Sequence, residues 1–497
     1  MRPIEASFIG VGLLALVAMR RPKHLVWLRH GLSALAALLA ILQAALEGYR
    51  WQMIPAYAGI LILLLISFAP MKWATKVLRL ATGMTVFFLA AGLCAGTVYP
   101  VFRLPEPTGP FRIGTVTYHF VDDRRPEIFS RTPGSKREIM VQAWYPAEPG
   151  LYATTAPYRE RAATSFQSEY LTLVQSHAYL EAPVEKAKDR YPLVIFTPSW
   201  HGVRNQNLFQ VEELVSHGFV VLGVDHPYGS AVTVFPDGRV IQALPDKFLD
   251  TTSEQSLKES FQIAEQQLNV RAADLSFLLD TLESADQTGG LGILDGKLDL
   301  DRVAILGYSF GGAVAAQACW KDPRFKGAIN MDGDLFGESA THGIEQPYLA
   351  MSDSFSEPGA KDLNSPNLPW RRWEQVIDQQ AKLTQQTMEE HGGYTLEIPS
   401  VAHGNFSDSA LFSPVRRLTG SGSMDPRAAM NIVNEYTVAF FSQVLNHSPQ
   451  RLLEASFQPY REAQLRVYVH PGNARAVPQV AHQNVASCCN LGQVPAH

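Results

Sequence analysis

Cysteine is scarce in this chain of 497 residues: there are four, Cys94, Cys319, Cys488 and Cys489. Cys94 lies in an apolar run and Cys319 in a small-residue helical stretch, while Cys488 and Cys489 adjoin in a polar tail. No disulfide framework follows from these positions, and no spacing of a zinc site occurs. Neither a metal nor an organic cofactor is expected. An excess of basic charge is also missing. The net charge is −5, and no Lys/Arg cluster stands outside the flanks of the apolar runs. That excludes the electrostatic footprint of a nucleic-acid binder. Internal repeats are absent as well.

Long apolar runs are present, and all fall in the first 102 residues: Ile4 to Met19, Leu32 to Leu46, Ile54 to Ala69 and Leu80 to Val101. Crossing a bilayer takes about 20 predominantly apolar residues. The fourth run meets this outright, and the others reach it with flanking residues such as Val26 to Gly31 or Trp51 to Met53. Glu5, a weakly positive start and three further runs argue against a cleaved signal peptide. Residues 1–104 therefore read as a transmembrane region of about four helices. The first connection carries Arg20, Arg21, Lys23 and Arg29, and the third carries Lys72, Lys76 and Arg79. The second has only Arg50, beside Glu47. Positive connections stay cytoplasmic, so both ends of this region, and the domain after it, are expected outside a cell membrane, a bacterial one by the compactness of the helices.

From 105 to 450 apolar strand patterns alternate with helical ones. Phe111 to Tyr118 and Glu138 to Trp144 read as antiparallel entry strands. Further strands are expected at Leu193, Phe219, Val303, Ala328, Tyr348 and Tyr394, with helices over Leu257 to Leu282, Trp370 to Glu390 and Met430 to Leu445. This alternation predicts an α/β fold with a mostly parallel, doubly wound sheet. Residues 451–497, aperiodic from Leu453 on, are expected to be a poorly ordered tail.

Within that domain, Gly307-Tyr308-Ser309-Phe310-Gly311-Gly312 follows the apolar run Val303 to Leu306 and opens a small-residue helix. Strand, sharp turn and helix are the context that makes G-x-S-x-G a nucleophile elbow, with Ser309 exposed on a strained backbone. The glycines are needed because side chains there would collide with the neighbouring strand and helix. The triad partners of such an elbow follow it in the order acid, then histidine. Of the fourteen histidines, His342, His391, His403, His447, His470, His482 and His497 lie downstream. The last three fall in the tail, His447 in a surface turn and His391 at a polar helix end. His403 follows the short strand Tyr394 to Ile398 on a loop, where a hydrolase of this architecture presents its base. Two strand ends compete for the acid: Asp332, with Asp334 two residues on, and Asp353. Position alone does not choose. One oxyanion-hole donor is the amide of Phe310, after the nucleophile. The other is expected from Thr197-Pro198-Ser199-Trp200-His201-Gly202-Val203, the glycine loop after the early strand Tyr191 to Phe196, through the Val203 amide. Each such donor is worth roughly 3 kcal/mol in a serine hydrolase.

These motifs, over about Phe111 to Asn446, resemble the plasma and type II platelet-activating-factor acetylhydrolases, a family of α/β-hydrolases. That family's elbow reads Gly-His-Ser-Phe-Gly-Gly. Its oxyanion strand ends in Ser-His-Gly, matched by Ser199-Trp200-His201-Gly202 with one residue inserted. Its Ser-His-Gly-Phe segment stands unchanged as Ser216-His217-Gly218-Phe219. Its histidine run is similar to His403-Gly404-Asn405-Phe406, followed here by Ser407-Asp408. The resemblance places the acid after the strand directly following the elbow. It therefore implies Asp332 as orienter of His403, with Asp334 facing solvent or capping the next helix. It further implies hydrolysis of short or oxidised acyl esters of phospholipids at a membrane surface, through an acyl-enzyme. Trp200 and Tyr308 depart from the family pattern and, with His201, are expected to shape the substrate pocket. The same triad would serve a general carboxylesterase or lipase. A membrane sensor or transporter using the domain as a binding module is the alternative of another class, and the complete set of motifs argues against it.

Overall fold

The computed structural model describes residues 1–19, 26–69, 75–354 and 357–470. Arg20, Arg21, Lys23 and Lys72 of the charged connections lie outside the described residues, as do His482, Cys488, Cys489 and His497. Four helices form where the apolar runs fall: α1 (Pro3–Ala18), α2 (Val26–Gln43), α3 (Ile54–Ser67) and α4 (Thr75–Val98). Two helical segments, Val26–Gly48 and Lys76–Val98, are long and apolar enough to cross a membrane, whereas Pro3–Ala18 and Trp51–Ser67 are shorter apolar helices. The bundle packs Phe8, Ala15, Ala36, Ala56, Leu63 and Leu89 inside. It leaves large apolar side chains such as Leu14, Ile41, Leu61 and Phe87 exposed. A helix in water shows the opposite pattern, with its polar face outward. Inside, Arg50 spans both carboxylate oxygens of Glu5 at 2.7 Å, and both side chains are fully buried. The bundle end carrying Arg50 meets the rest of the chain. Trp51 Nε1 donates to the Gln167 carbonyl (3.0 Å), and Tyr99 packs edge-on to Tyr170.

Beyond the bundle an eleven-stranded sheet organises the chain. Its strands, with a two-stranded ribbon (β7, β8) between, are β1 (Arg112–Pro126), β2 (Lys136–Ala147), β3 (Thr155–Pro157), β4 (Gln175–Leu180), β5 (Tyr191–Thr197), β6 (Val220–Asp225), β7 (Val232–Val234), β8 (Val240–Gln242), β9 (Leu298–Tyr308), β10 (Phe325–Met331), β11 (Tyr348–Ser352), β12 (Gly393–Glu397) and β13 (Gln464–Tyr468). The order across the sheet is β13-β12-β11-β10-β9-β5-β6-β2-β1-β4-β3. From β12 to β6 all pairs are parallel; β2 joins β6 antiparallel and β13 joins β12 antiparallel. The central strands are apolar on both faces because both are covered. Val194 and Phe196 of β5, and Ala304 and Leu306 of β9, face the core under α5 (Leu208–Ser216). Leu193, Ile195, Val303 and Ile305 face the core under α6 (Glu254–Thr288) and α7 (Phe310–Lys321). The later helices are α8 (Gly337–His342), α9 (Ala360–Leu363), α10 (Leu368–His391), α11 (Arg416–Thr419) and α12 (Pro426–Asn446), the last on the α5 side.

The expected tail requires a correction. Residues 464–468 form β13, paired residue for residue with β12 from Gly393↔Tyr468 to Glu397↔Gln464. Leu465 and Ala463 enter the core. The ordered domain therefore runs past 450. Its last strand was illegible because five residues with a single well-buried apolar position give too short an alternation.

The sheet also fixes where chemistry belongs. From β5 the chain goes to β6 on one side, then returns to β9 on the other. In an open α/β sheet this reversal leaves a crevice at the carboxyl ends of the strands. Ser309 follows β9 there, Asp332 follows β10, and the Pro198–Val203 turn follows β5.

Candidate active site

Ser309 stands between β9 and α7 at φ 56°, ψ −125°, a region costly for any residue with a Cβ. Two hydrogen bonds hold it there: its N–H donates to the Met331 carbonyl (2.8 Å), and its carbonyl accepts from Gly312 N–H (2.7 Å). Glycine is obligatory around it. A methyl on Gly307 would strike the Gly311 carbonyl, and one on Gly311 would strike the Thr197 carbonyl of β5. The elbow thus presses directly on the strand that leads into the Pro198–Val203 turn.

Asp332 has the same kind of backbone, φ 54°. Its N–H donates to Met351 (2.7 Å). Asn330 fixes the turn by accepting from Gly333 N–H (2.9 Å) and donating to the Gly333 carbonyl (2.9 Å) and the Tyr348 hydroxyl (2.8 Å). The carboxylate receives two bonds: the Ser352 hydroxyl donates to Oδ1 (2.7 Å), and His403 Nδ1 lies 2.6 Å from Oδ2. Because a carboxylate only accepts, Nδ1 carries the proton and Nε2 keeps its lone pair. Asp353 bonds locally, to Ser352 and Ser354, and makes no hydrogen bond to the imidazole. Of the two strand ends left open by position, the structure brings Asp332 to His403.

His403 opens a short 3₁₀ turn, His403–Phe406, beyond β12. Its side chain is 52% exposed, against 13% for Asp332, so solvent reaches the imidazole. Burial opposes its charged form. The bond to Asp332 and the negative charges of Asp332, Asp334 and Asp353 outweigh this and raise its pKa above the usual histidine value. Asn405 ties the turn by accepting from Ala402 N–H (3.0 Å) and Gly422 N–H (2.7 Å). Asp408, fully buried, accepts from Leu208 and Phe209 N–H at the start of α5 and from the Tyr158 hydroxyl. It thereby anchors the base loop to that helix, and burial pushes its carboxyl up to about 7.

Ser309, Asp332 and His403 line one cavity of about 530 Å³ with Asp334, Asp353 and an apolar wall of Phe248, Phe310, Met351, Trp373 and Ile377. The Ser309 hydroxyl makes no hydrogen bond to the imidazole in this structure; such catalytic bonds often tighten only with substrate bound. Asp334 departs from expectation. It neither caps α8, whose N-cap is Phe336, nor points away from the site. Burial first, and then Asp332, pushes its carboxyl up to about 7.

Tyr308 also requires correction. It is 4% exposed within the core under α5. Its hydroxyl donates to the His403 carbonyl (2.9 Å), and its ring lies 5.0 Å from the imidazole. Strand alternation turns it away from the cavity, so it braces the His403 turn and does not line that cavity. Trp200 stands one layer back, its indole edge-on to Phe310 (4.9 Å) and tilted on Phe248 (5.4 Å). His201, at φ 55°, is bridged to Ser230. Neither Trp200 nor His201 is among the lining residues of the Ser309 cavity. Val203 lines a separate hollow with Thr115, Tyr158, Arg204 and Asp225. Asn330, Ser352 and Asp408 escaped the reading of the sequence. Ser352 had a signal, since it ends a buried strand beside a candidate acid; Asn330 depends on which strand lies beside β10, and Asp408 on which helix the His403 loop meets. Among the described residues no group of three His, Cys, Asp or Glu side chains is spaced to hold a metal ion.

Residues 97–451 match the family described as platelet-activating factor acetylhydrolase, isoform II. A probable 1-alkyl-2-acetylglycerophosphocholine esterase of Arthroderma benhamiae is 23% identical over 77% of this chain and 98% of its own length. The platelet-activating factor acetylhydrolase of Bos taurus is 27% identical over 52% of this chain and 58% of its own. Among solved structures, a ferulic acid esterase from Streptomyces cinnamoneus superposes with a TM-score of 0.56 at 26% identity, covering 74% of this chain and 99% of that one.

Proposed function

Because the chain belongs to the family of platelet-activating factor acetylhydrolase, isoform II, we propose that this ester hydrolase cleaves short or oxidised acyl groups from phospholipids through an acyl-enzyme. The observation that carries the reading is the 2.6 Å contact between His403 Nδ1 and Asp332 in the cavity that holds strained Ser309. Ser309 Oγ attacks the acyl carbonyl while His403 Nε2 takes its proton. The imidazolium, stabilised by Asp332, returns that proton to the departing glycerol oxygen. Water then attacks the acyl-enzyme while His403 Nε2 takes its proton, and the imidazolium returns that proton to Ser309 Oγ as the acyl–oxygen bond breaks and the acid is released.

The oxyanion is held by the Phe310 amide and by a second amide from the Pro198–Val203 turn. Val203 is the residue the sequence motif suggests, but its place in the other hollow favours Trp200. Pro198 has no N–H, the Ser199 N–H is engaged by Gln206 Oε1 (3.1 Å), and the Gly202 N–H by the Ser199 carbonyl (2.9 Å). The Trp200 amide sits next to the β5 end on which the elbow presses.

The substrate test is a comparison at equal concentration: an sn-2 acetyl ether phospholipid, its long-chain counterpart, p-nitrophenyl esters of increasing chain length, and methyl ferulate. Cleavage of the acetyl phospholipid at least about tenfold faster, as kcat/KM, than of the long-chain lipid is expected. Ferulate or simple esters cleaved with no phospholipid turnover would instead support a general esterase, the reading favoured by the ferulic acid esterase likeness.

The apolar outer surface of the bundle supports a membrane anchor that keeps the site near lipid, with the catalytic domain extracytoplasmic. Arg29 stands in the first turn of α2, and Lys76 and Arg79 near the start of α4, at the bundle end opposite the one that meets the domain. The check is labelling of intact cells. A cysteine introduced at Arg29 should resist an impermeant thiol reagent, while added protease should reach the catalytic domain; the reverse pattern would overturn the orientation.

A further inference from the structure

Arg271, on α6, is a fully buried guanidinium whose relation to the site is unusual. Nη1 donates to the Ser199 carbonyl (3.2 Å), in the turn that bears Trp200, and Nη2 donates to the Gly229 carbonyl (2.9 Å). Its Cζ lies 5.1 Å from the ring centroid of Phe310 and 5.7 Å from that of Trp200. Nε has no partner. Among the described residues no carboxylate lies within ion-pair distance of it. Asp274, one turn along α6, is occupied elsewhere: Arg137 and Arg125 pair with it, and His226 Nδ1 lies 2.8 Å away. Burial, reinforced by Arg137, lowers the guanidinium to about 9, so it stays charged at neutral pH.

A buried cation without a counter-ion is costly. A neutral side chain would serve if the only task were to bond two carbonyls. The cavity carries Asp332, Asp334 and Asp353, but among the described residues none of them pairs with Arg271, and new negative charge appears at the Phe310 and Trp200 amides only when the acyl carbonyl becomes tetrahedral. A fixed positive centre behind those two residues acts selectively on that state. A second tie from the same helix reinforces the placement. His226 Nε2 accepts from the Thr197 hydroxyl (3.2 Å) while its Nδ1–H donates to Asp274. Arg271 directly, and Asp274 through His226, thus tie α6 to the turn after β5 and to the end of that strand. We infer that Arg271 is the positioning residue of the oxyanion hole, setting the Trp200 turn against Phe310 and supplying the standing charge behind both amides. The inference rests on the reading of Ser309 as nucleophile.

The test uses the full chain and Arg271→Met, with p-nitrophenyl acetate as substrate and a trifluoromethyl ketone as the tetrahedral mimic. kcat is expected to fall by about ten- to a hundredfold with KM changed less than about threefold, and affinity for the ketone to fall by the factor lost in kcat/KM. A merely structural role would lower the melting temperature without that parallel. A folded variant with kcat within about twofold of wild type, or with its loss confined to KM, would overturn the inference. Should Arg271→Met not fold, Gly229→Ala decides. The new methyl would come within 2.7 Å of Nη2 and push the guanidinium aside with its charge retained, so a loss in kcat at constant KM supports the inference and wild-type kcat overturns it. Labelling of wild type and Ser309→Ala with a fluorophosphonate runs alongside. Persistent labelling of Ser309→Ala would show that the underlying site reading has failed, whereas a labelled wild type with an unimpaired Arg271→Met would count against Arg271 alone.

Discussion

Ser309→Ala is expected to lower kcat by about 10⁶-fold and to abolish fluorophosphonate labelling, with the melting temperature unchanged. The size follows from the chemistry. Without the hydroxyl no acyl-enzyme forms, and only the oxyanion donors and substrate binding remain, worth about 10³ to 10⁴ over water. The fold should tolerate the change. Alanine meets the same left-handed backbone as serine, the two bonds that hold the turn are backbone bonds to Met331 and Gly312, and the serine hydroxyl bonds nothing in the resting site. Hydrolysis of p-nitrophenyl acetate and of an acetyl phospholipid, with a thermal melt, checks it. Activity within tenfold of wild type would remove Ser309 from the mechanism.

Asp332→Asn is expected to cost about 10⁴ in kcat, the loss that follows when a triad histidine is held in the wrong tautomer. The local bonding makes this outcome specific. The Ser352 hydroxyl donates to Oδ1, so the amide oxygen of asparagine takes that place and its NH₂ turns toward His403. Nδ1 must then accept, the proton moves to Nε2, and the base has no lone pair for Ser309. The pH profile should shift as well. In wild type the carboxylates raise the imidazole above its usual value, so kcat/KM climbs with pH and levels only above that raised pKa. With Asp332 neutralised, burial works against the imidazolium with less opposition, and the acid limb of the residual activity moves to lower pH. Asp353→Asn, which leaves the Asp332–His403 bond in place, should change kcat by less than about threefold. If Asp353→Asn is instead the crippled variant, the acid belongs one strand later.

The parts of the site legible in the sequence are those whose requirements are local. The elbow could be read from Gly307, Ser309 and Gly311 because close approach to the Gly311 and Thr197 carbonyls excludes every other residue at the two glycines. His403 could be read as a histidine on the loop after a short strand. The acid was not local. Asp332 and Asp353 both end buried strands, and only the strand order and the His403 contact separate them; family resemblance supplied the choice that spacing withheld. Tyr308 was misplaced because the motif marks its position without saying that strand alternation sends its side chain into the core. Val203 was matched to a glycine motif by pattern, while the path of the turn takes it to another hollow. Arg271 left no trace at all: an arginine in a long polar helix reads as a solvated face, and its burial appears only when α6 packs beneath the β5 turn.

The pairing of β13 with β12 bears on where the catalytic unit can be cut. A fragment ended at 450 would strip the outermost strand and leave β12 with a free row of N–H and C=O groups, an edge ready to recruit another chain. The native border is better guarded. β13 has five residues, and Arg466 stands exposed on it, reaching diagonally to Glu397 of β12 at 3.8 Å. A short, charged border strand resists stacking by strangers. A soluble version of this domain should therefore keep β13 through Tyr468.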